Sequence, residues 1–110
     1  MNAIGLLPLE IESLRSVFAR HPEIEEVVLF GSRAKGNHRP ESDIDLAVRG
    51  IADEREVEAL AFELDELPLP FRFDVKSLDA IKNPALLEHV RRVGRSIFAR
   101  DTVRQAPQRE

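Results

Sequence analysis

Two aspartates, Asp43 and Asp45, flank Ile44 in a stretch where Ile44, Leu46 and Val48 alternate with Asp43, Asp45 and Ala47. Alternation at period two is the pattern of a β-strand, so the carboxylates share one face while the apolar side chains enter the core from the other. Their attachment points then lie roughly 6 to 7 Å apart, at about 3.3 Å of rise per residue. That spacing suits side chains converging on hard cations, because a pair of catalytic metals sits about 3.5 to 4 Å apart. Mg²⁺ takes carboxylate oxygens together with substrate phosphates and keeps several waters, so two or three aspartates hold it without a dedicated protein cage. Asp74 follows the same logic, since Phe71, Phe73 and Val75 mark the core face of its strand. If the two strands are neighbours in matching register, three carboxylates meet, and cations are the natural resolution of their repulsion.

Upstream, Gly31-Ser32 closes the β-rich run Val27-Val28-Leu29-Phe30. At a junction from strand to helix, exposed backbone N–H groups and a hydroxyl hold a phosphate, and glycine permits close approach of the backbone. Lys35 and Arg39 add positive charge nearby. An anion cradle, metal-binding carboxylates and a third acid together describe phosphoryl or nucleotidyl transfer. Each part alone has a plainer explanation: a Gly-Ser turn is ordinary punctuation, and Asp-x-Asp at a strand start is often a solvated face. Their joint occurrence at fixed spacing arises by chance in roughly one or two per thousand chains of this length.

The elements that position these residues follow from the same patterns. Ile11, Leu14 and Phe18, preceded by Leu7, recur at helical spacing from Pro8, giving a first amphipathic helix that closes near His21-Pro22. A strand over 27–30, about one helical turn over 32–35 ended by Gly36, a loop, and the aspartate strand come next. Asp53, with Glu56 three residues on, resembles a capping box ahead of Val57, Leu60, Ala61 and Leu64, so a second helix ends before Pro68. Phe71 to Lys76 forms a third strand. Asn83-Pro84 starts a helix carrying Leu86, Leu87, Val90 and Val93, ended by Gly94, and Ser96 to Ala99 forms a short edge strand. The expected fold is α+β, a small sheet covered by helices, in one domain over residues 1–100 with a loose polar tail over 101–110.

Composition sets the remaining bounds. A chain of 110 residues with 43% apolar content is one small domain with a single core. Sixteen basic against 20 acidic residues, a net charge of -4, speak against a general nucleic-acid binder. With no cysteine there are no disulfides or thiolate metal sites, and no apolar run approaches a membrane span, so the expectation is a soluble cytoplasmic protein. Rival motifs fail. Asp43, Asp45 and Glu54 echo a calcium loop, but Ala47 and Val48 stand where a ligand and a glycine are needed. There is no Gly-Lys-Ser/Thr loop, and His21, His38 and His89 lack ligand spacing, which suits loop or surface positions.

The stretch GSRAKGNHRPESDIDLAV, with ten residues between Gly31-Ser32 and Asp43-x-Asp45, resembles the signature of the DNA polymerase beta-like nucleotidyltransferase superfamily, and most closely its minimal nucleotidyltransferase (MNT) subgroup. The likeness spans residues 8 to 99. It implies a mixed sheet in which Asp43 and Asp45 bind two Mg²⁺ ions and Gly31 and Ser32 hold the triphosphate of ATP. Arg33, Lys35 and Arg39 complete the expected nucleotide-binding set, and Asp74 joins the metal site as the third acid, activating the acceptor hydroxyl. It further implies the antitoxin role of a partner to HEPN-domain toxins, transferring AMP to a hydroxyl of that protein. Two alternatives stand beside this. One is a catalytically silent antitoxin that acts by contact. The other is a transferase for a small molecule or RNA, against which the missing acceptor domain and the acidic charge count.

Overall fold

A β-sheet with helices on both faces organises the described residues. The computed structural model describes residues 6–31, 34, 36 and 43–100. Among these, three helices, α1 (Pro8–Ala19), α2 (Glu54–Asp65) and α3 (Pro84–Val93), accompany four strands, β1 (Glu26–Phe30), β2 (Ile44–Arg49), β3 (Phe73–Ser77) and β4 (Arg95–Ala99), with a 3₁₀ turn at Leu78–Ala80. The sheet order is β3-β2-β1-β4. β1 is antiparallel to both β2 and β4, whereas β2 and β3 run parallel. Parallel neighbours need a crossover, and α2 supplies it. The mixed α+β sheet expected from the sequence is what forms. Of the helical turn expected over 32–35 only Ala34 is described, and it is buried. The tail over 101–110 lies outside the described residues.

Local chemistry explains where the helices begin and end. Pro8 opens α1, and the Glu10 carboxylate accepts the Leu7 backbone N–H at 2.8 Å. Asp53 caps α2 by accepting from the Arg55 N–H at 2.9 Å. Asn83 accepts from the N–H groups of Ala85 and Leu86 at 2.9 and 3.4 Å, satisfying donors that the first turn of α3 leaves free. Gly94 follows the last turn of α3.

The sheet is buried on both faces. On one, α1 and α2 bring Leu14, Phe18, Leu60 and Leu64 against Val27, Leu29, Leu46 and Val48. On the other, α3 brings Val90 and Leu86 against Phe30, Ala47 and Val28. Apolar side chains taken fully out of water contribute about 1.5 to 3 kcal/mol each, and Phe18, Leu14, Leu29, Leu46, Leu60 and Leu64 all reach that limit. The C-terminal end of α1 is tied down by Arg100. Its Nε donates to the Ile24 carbonyl at 2.7 Å, and one terminal nitrogen donates to the carbonyls of His21, Phe18 and Ala19 at 2.8, 3.3 and 3.4 Å. The same guanidinium lies 5.3 Å from the centre of the Phe98 ring.

Two refinements to the sequence reading have physical causes. β3 begins at Phe73, not Phe71, because β2 begins at Ile44, whose register partner is Phe73. The second apolar cluster was invisible as such, because Phe30, Ala47 and Val90 belong to elements that only the folded chain brings together. No helix among the described residues is long and apolar enough to cross a membrane.

Candidate functional site

Strand registry builds the site. Asp45 of β2 lies directly beside Asp74 of β3, and on its other side beside Phe30, the last residue of β1. The condition for the carboxylates to meet, neighbouring strands in matching register, is therefore satisfied for this pair. Asp43 immediately precedes β2 and is exposed, while Asp45 is half-buried. Ile44, Leu46 and Val48 are fully buried on the opposite face, so the aspartates hold their positions because their neighbours are anchored in the core.

Gly31 follows Phe30 at φ +81°, in the left-handed region that favours glycine. A Cβ there would collide with the Asp45 carboxylate. The residue that the sequence marks as a phosphate-approach position thus first permits a close approach between the β1 turn and a carboxylate. Ser32, Arg33, Lys35 and Arg39 lie outside the described residues, so the nucleotide-binding role expected of them rests on the sequence.

The electrostatics are those of crowded negative charge. Burial raises the Asp45 pKa above its ordinary value of 3.8, and the Asp74 and Asp43 carboxylates push it further up. Lys76 and His89 act in the opposite direction. Lys76 stands two residues from Asp74 on the same strand, its Nζ 3.6 Å from the Asp74 carboxylate, both side chains being substantially exposed. His89 comes from α3 and meets the Phe30 ring edge-on, with centres 6.2 Å apart. Sequence reasoning took His89 for an isolated surface residue. Its one available signal was its place on α3 between Leu86 and Val90, the apolar positions that carry α3 onto the sheet.

The donor set can be tested against the metal it was expected to hold. Among the described residues, no three carboxylate or imidazole side chains stand close enough to hold an ion by themselves. Mg²⁺ does not require that, since it completes its shell with waters and substrate phosphates. Hard oxygen donors from Asp43, Asp45 and Asp74, with Asp45 under like-charge pressure from the other two, fit a divalent cation. A hollow of about 440 Å³ on the α2 side of β3, between Ala52, Val57, Val75 and Ile81, includes none of these aspartates. The carboxylates instead occupy an open end of the sheet.

Comparison with known proteins agrees with this geometry. No curated protein compared with the chain matches it. Solved structures do. The chain aligns with a toxin–antitoxin structure containing AMP-PNP at TM-score 0.70 and 23% identity, over 84% of this chain and 76% of that one. It aligns with the MntA–HepT toxin–antitoxin at TM-score 0.66 and 20% identity, over 91% and 79% of the two chains. A third match, at TM-score 0.65 and 21% identity over 89% and 76%, is a tri-AMPylated Shewanella oneidensis HEPN toxin in complex with MNT antitoxin. At these identities the matches establish a shared fold. The family model described as "Polymerase beta, Nucleotidyltransferase" matches residues 12–103, which include β1, Asp43, Asp45 and Asp74. With nearly the whole described chain inside that match, the protein belongs to the polymerase beta nucleotidyltransferase family.

Proposed function

We propose that the protein transfers AMP from ATP to a hydroxyl group of a partner protein, in a Mg²⁺-dependent reaction, and serves as the antitoxin of a HEPN toxin. The observation that carries this reading is the pairing of Asp45 with Asp74 in register, with Gly31 held against the Asp45 carboxylate. Membership of the nucleotidyltransferase family supports the reaction class. The AMPylated HEPN toxin seen with its MNT antitoxin supports the choice of nucleotide and acceptor.

Asp43, Asp45 and Asp74 would hold the metal, which when bound polarises phosphate oxygens and neutralises their charge. The chain's own groups do the rest. Asp74, on the strand at the sheet's border, is exposed enough to take the proton of an incoming hydroxyl. That oxygen attacks the α-phosphorus, the bond to the β-phosphate breaks, and pyrophosphate leaves with the electron pair. The Gly31 turn brings backbone N–H groups to the phosphates. Asp45 is held by a buried strand and Asp43 immediately precedes it, so little reorganisation accompanies the reaction.

The test is transfer of label from α-labelled ATP with Mg²⁺ to a co-expressed HEPN partner. Label should appear on the partner and vanish with Asp43→Asn or Asp45→Asn, whereas transfer surviving in both variants would sink the assignment. The contact-only antitoxin is favoured by one observation, the Lys76 ion pair that partly occupies Asp74. If neither aspartate variant loses protection against the toxin in cells, that second reading replaces the first.

A further inference from the structure

The two borders of the sheet are finished differently. On β4 the register with β1 shifts between Val27 and Val28, and the Arg15 Nε donates to the Ile97 carbonyl at 2.8 Å. A bulge breaks that strand's run and a guanidinium already takes one of its carbonyls, both of which discourage a further strand. The β3 border carries no such device. The Ile44 N–H donates to the Arg72 carbonyl at 2.9 Å, which fixes the phase of the ladder. Asp74 and Lys76 therefore turn their backbone groups to β2, while Phe73, Val75 and Ser77 turn theirs outward. Among the described residues, the outward N–H and C=O of Phe73 and Val75 and the outward N–H of Ser77 make no hydrogen bond. The side chains divide the other way. Asp74 and Lys76, 49% and 41% exposed, stand on the α3 face with Asp45 and Ala47. Phe73 and Val75 pack partly against the core on the α2 face, where Val57, Val75, Ser77, Ala80 and Ile81 border the hollow of about 440 Å³.

We propose that β3 pairs antiparallel with β3 of a second copy of this chain, about a two-fold axis at Val75, joining two four-stranded sheets into one. The outward groups supply the ladder: the two copies of Val75 exchange N–H···O bonds, and each Ser77 N–H reaches the Phe73 carbonyl of the other copy. Charge selects both the occupant and the register. In this register Asp74 faces Lys76 of the second copy and Lys76 faces its Asp74, in the positions where cross-strand side chains stand closest. A slip of two residues one way sets Asp74 against Asp74, and the other way Lys76 against Lys76, and like charges directly opposite oppose pairing. The strand is thus complementary to itself when turned end for end. On the α2 face the same register brings Phe73 of each copy beside Ser77 of the other, at the border of the hollow. Such an interface uses one patch on both copies and closes on itself, so assembly through it stops at a dimer. The inference does not depend on the transfer reaction and goes beyond it.

The test is sedimentation velocity of the full chain in metal-free buffer over a wide concentration range. The parent should pass from monomer to dimer as concentration rises. Lys76→Asp sets acid against acid and Asp74→Lys sets base against base, so each alone should weaken dimerisation by about tenfold or more. Mixed in equal amounts, the two variants regain opposite charges at both pairs and should form a heterodimer about as tight as the parent's. Both side chains are substantially exposed, so the fold should survive either change. Amide exchange of the parent gives a reading that needs no variant: the Val75 and Ser77 N–H groups should exchange more slowly as concentration rises. A parent that stays monomeric at every concentration overturns the proposal, as when the border instead takes an extended segment of another protein. So does a dimer that both single variants leave intact, a mixture that associates no better than its components, or exchange at Val75 independent of concentration. None of these outcomes touches the transfer reading, which stands or falls on the labelling of the HEPN partner.

Discussion

At Asp45 the needs of the fold and of the chemistry oppose each other. Its carboxyl pKa lies above the ordinary 3.8 because of burial and because Asp74 and Asp43 lie close by. A raised pKa in the folded state means the protonated form suits the fold, so stability present below pH 3.8 is lost as pH rises through the folded value. Asp45→Asn, neutral throughout, should therefore melt at a higher temperature than the parent at pH 7 without metal. The difference should close as pH falls toward 4, and thermal melts across that range check it. The same variant should lose about a thousandfold or more in transfer, because it removes a metal-binding charge. Gly31→Ala should lose both activity and about 1 to 2 kcal/mol of stability, since the new methyl meets the Asp45 carboxylate and the backbone must stay at positive φ. The placement of Asp45 beside Asp74 on one face, and the turn at Gly31, were legible because strand period and turn chemistry are local. The nearness of His89 to Asp45 was not, because it follows from the docking of α3 on β1, which no local pattern encodes.

Among the elements, α1 depends most on a distant residue. The carbonyls of Phe18 and Ala19 in its last turn, and of His21 just beyond it, accept from Arg100, 79 residues away from His21 in sequence. A charged donor shared among four carbonyls, and stacked on Phe98, is worth several ordinary hydrogen bonds. Arg100→Ala should cost about 2 to 3 kcal/mol, lowering the melting temperature by roughly 10 °C or more, with hydrogen exchange accelerated in the last turn of α1. The helix starts were readable from Pro8, Asp53, Asn83 and Pro84, whose roles are set within a few residues. The end of α1 was readable only as His21-Pro22, because Arg100 finds it through the pairing of β4 with β1.

For the molecule as a whole, the decisive feature is a sheet covered on both faces. Ala47 is fully buried between β2 and α3, and its small side chain lets Val90 and Leu86 come down beside Phe30. Ala47→Leu should cost about 1 to 3 kcal/mol, measured by chemical denaturation, and on the proposed function lifting α3 should also weaken ATP binding by moving His89 away from Asp45. The α+β class and every described strand were legible from period and capping. Strand order was not, because β3-β2-β1-β4 is chosen by contacts between segments far apart in the chain. The parallel placement of β3 was the step that turned a conditional meeting of Asp45 and Asp74 into a registered pair.

That placement also bears on how such a chain diverges. β3 is a border strand, and Asp74 on it is 49% exposed, so replacing it leaves the core untouched and should change stability by about 0.5 kcal/mol or less. Selection for folding cannot protect this residue. On the proposed function only selection for transfer does, so a single substitution there would end transfer and leave the fold in place.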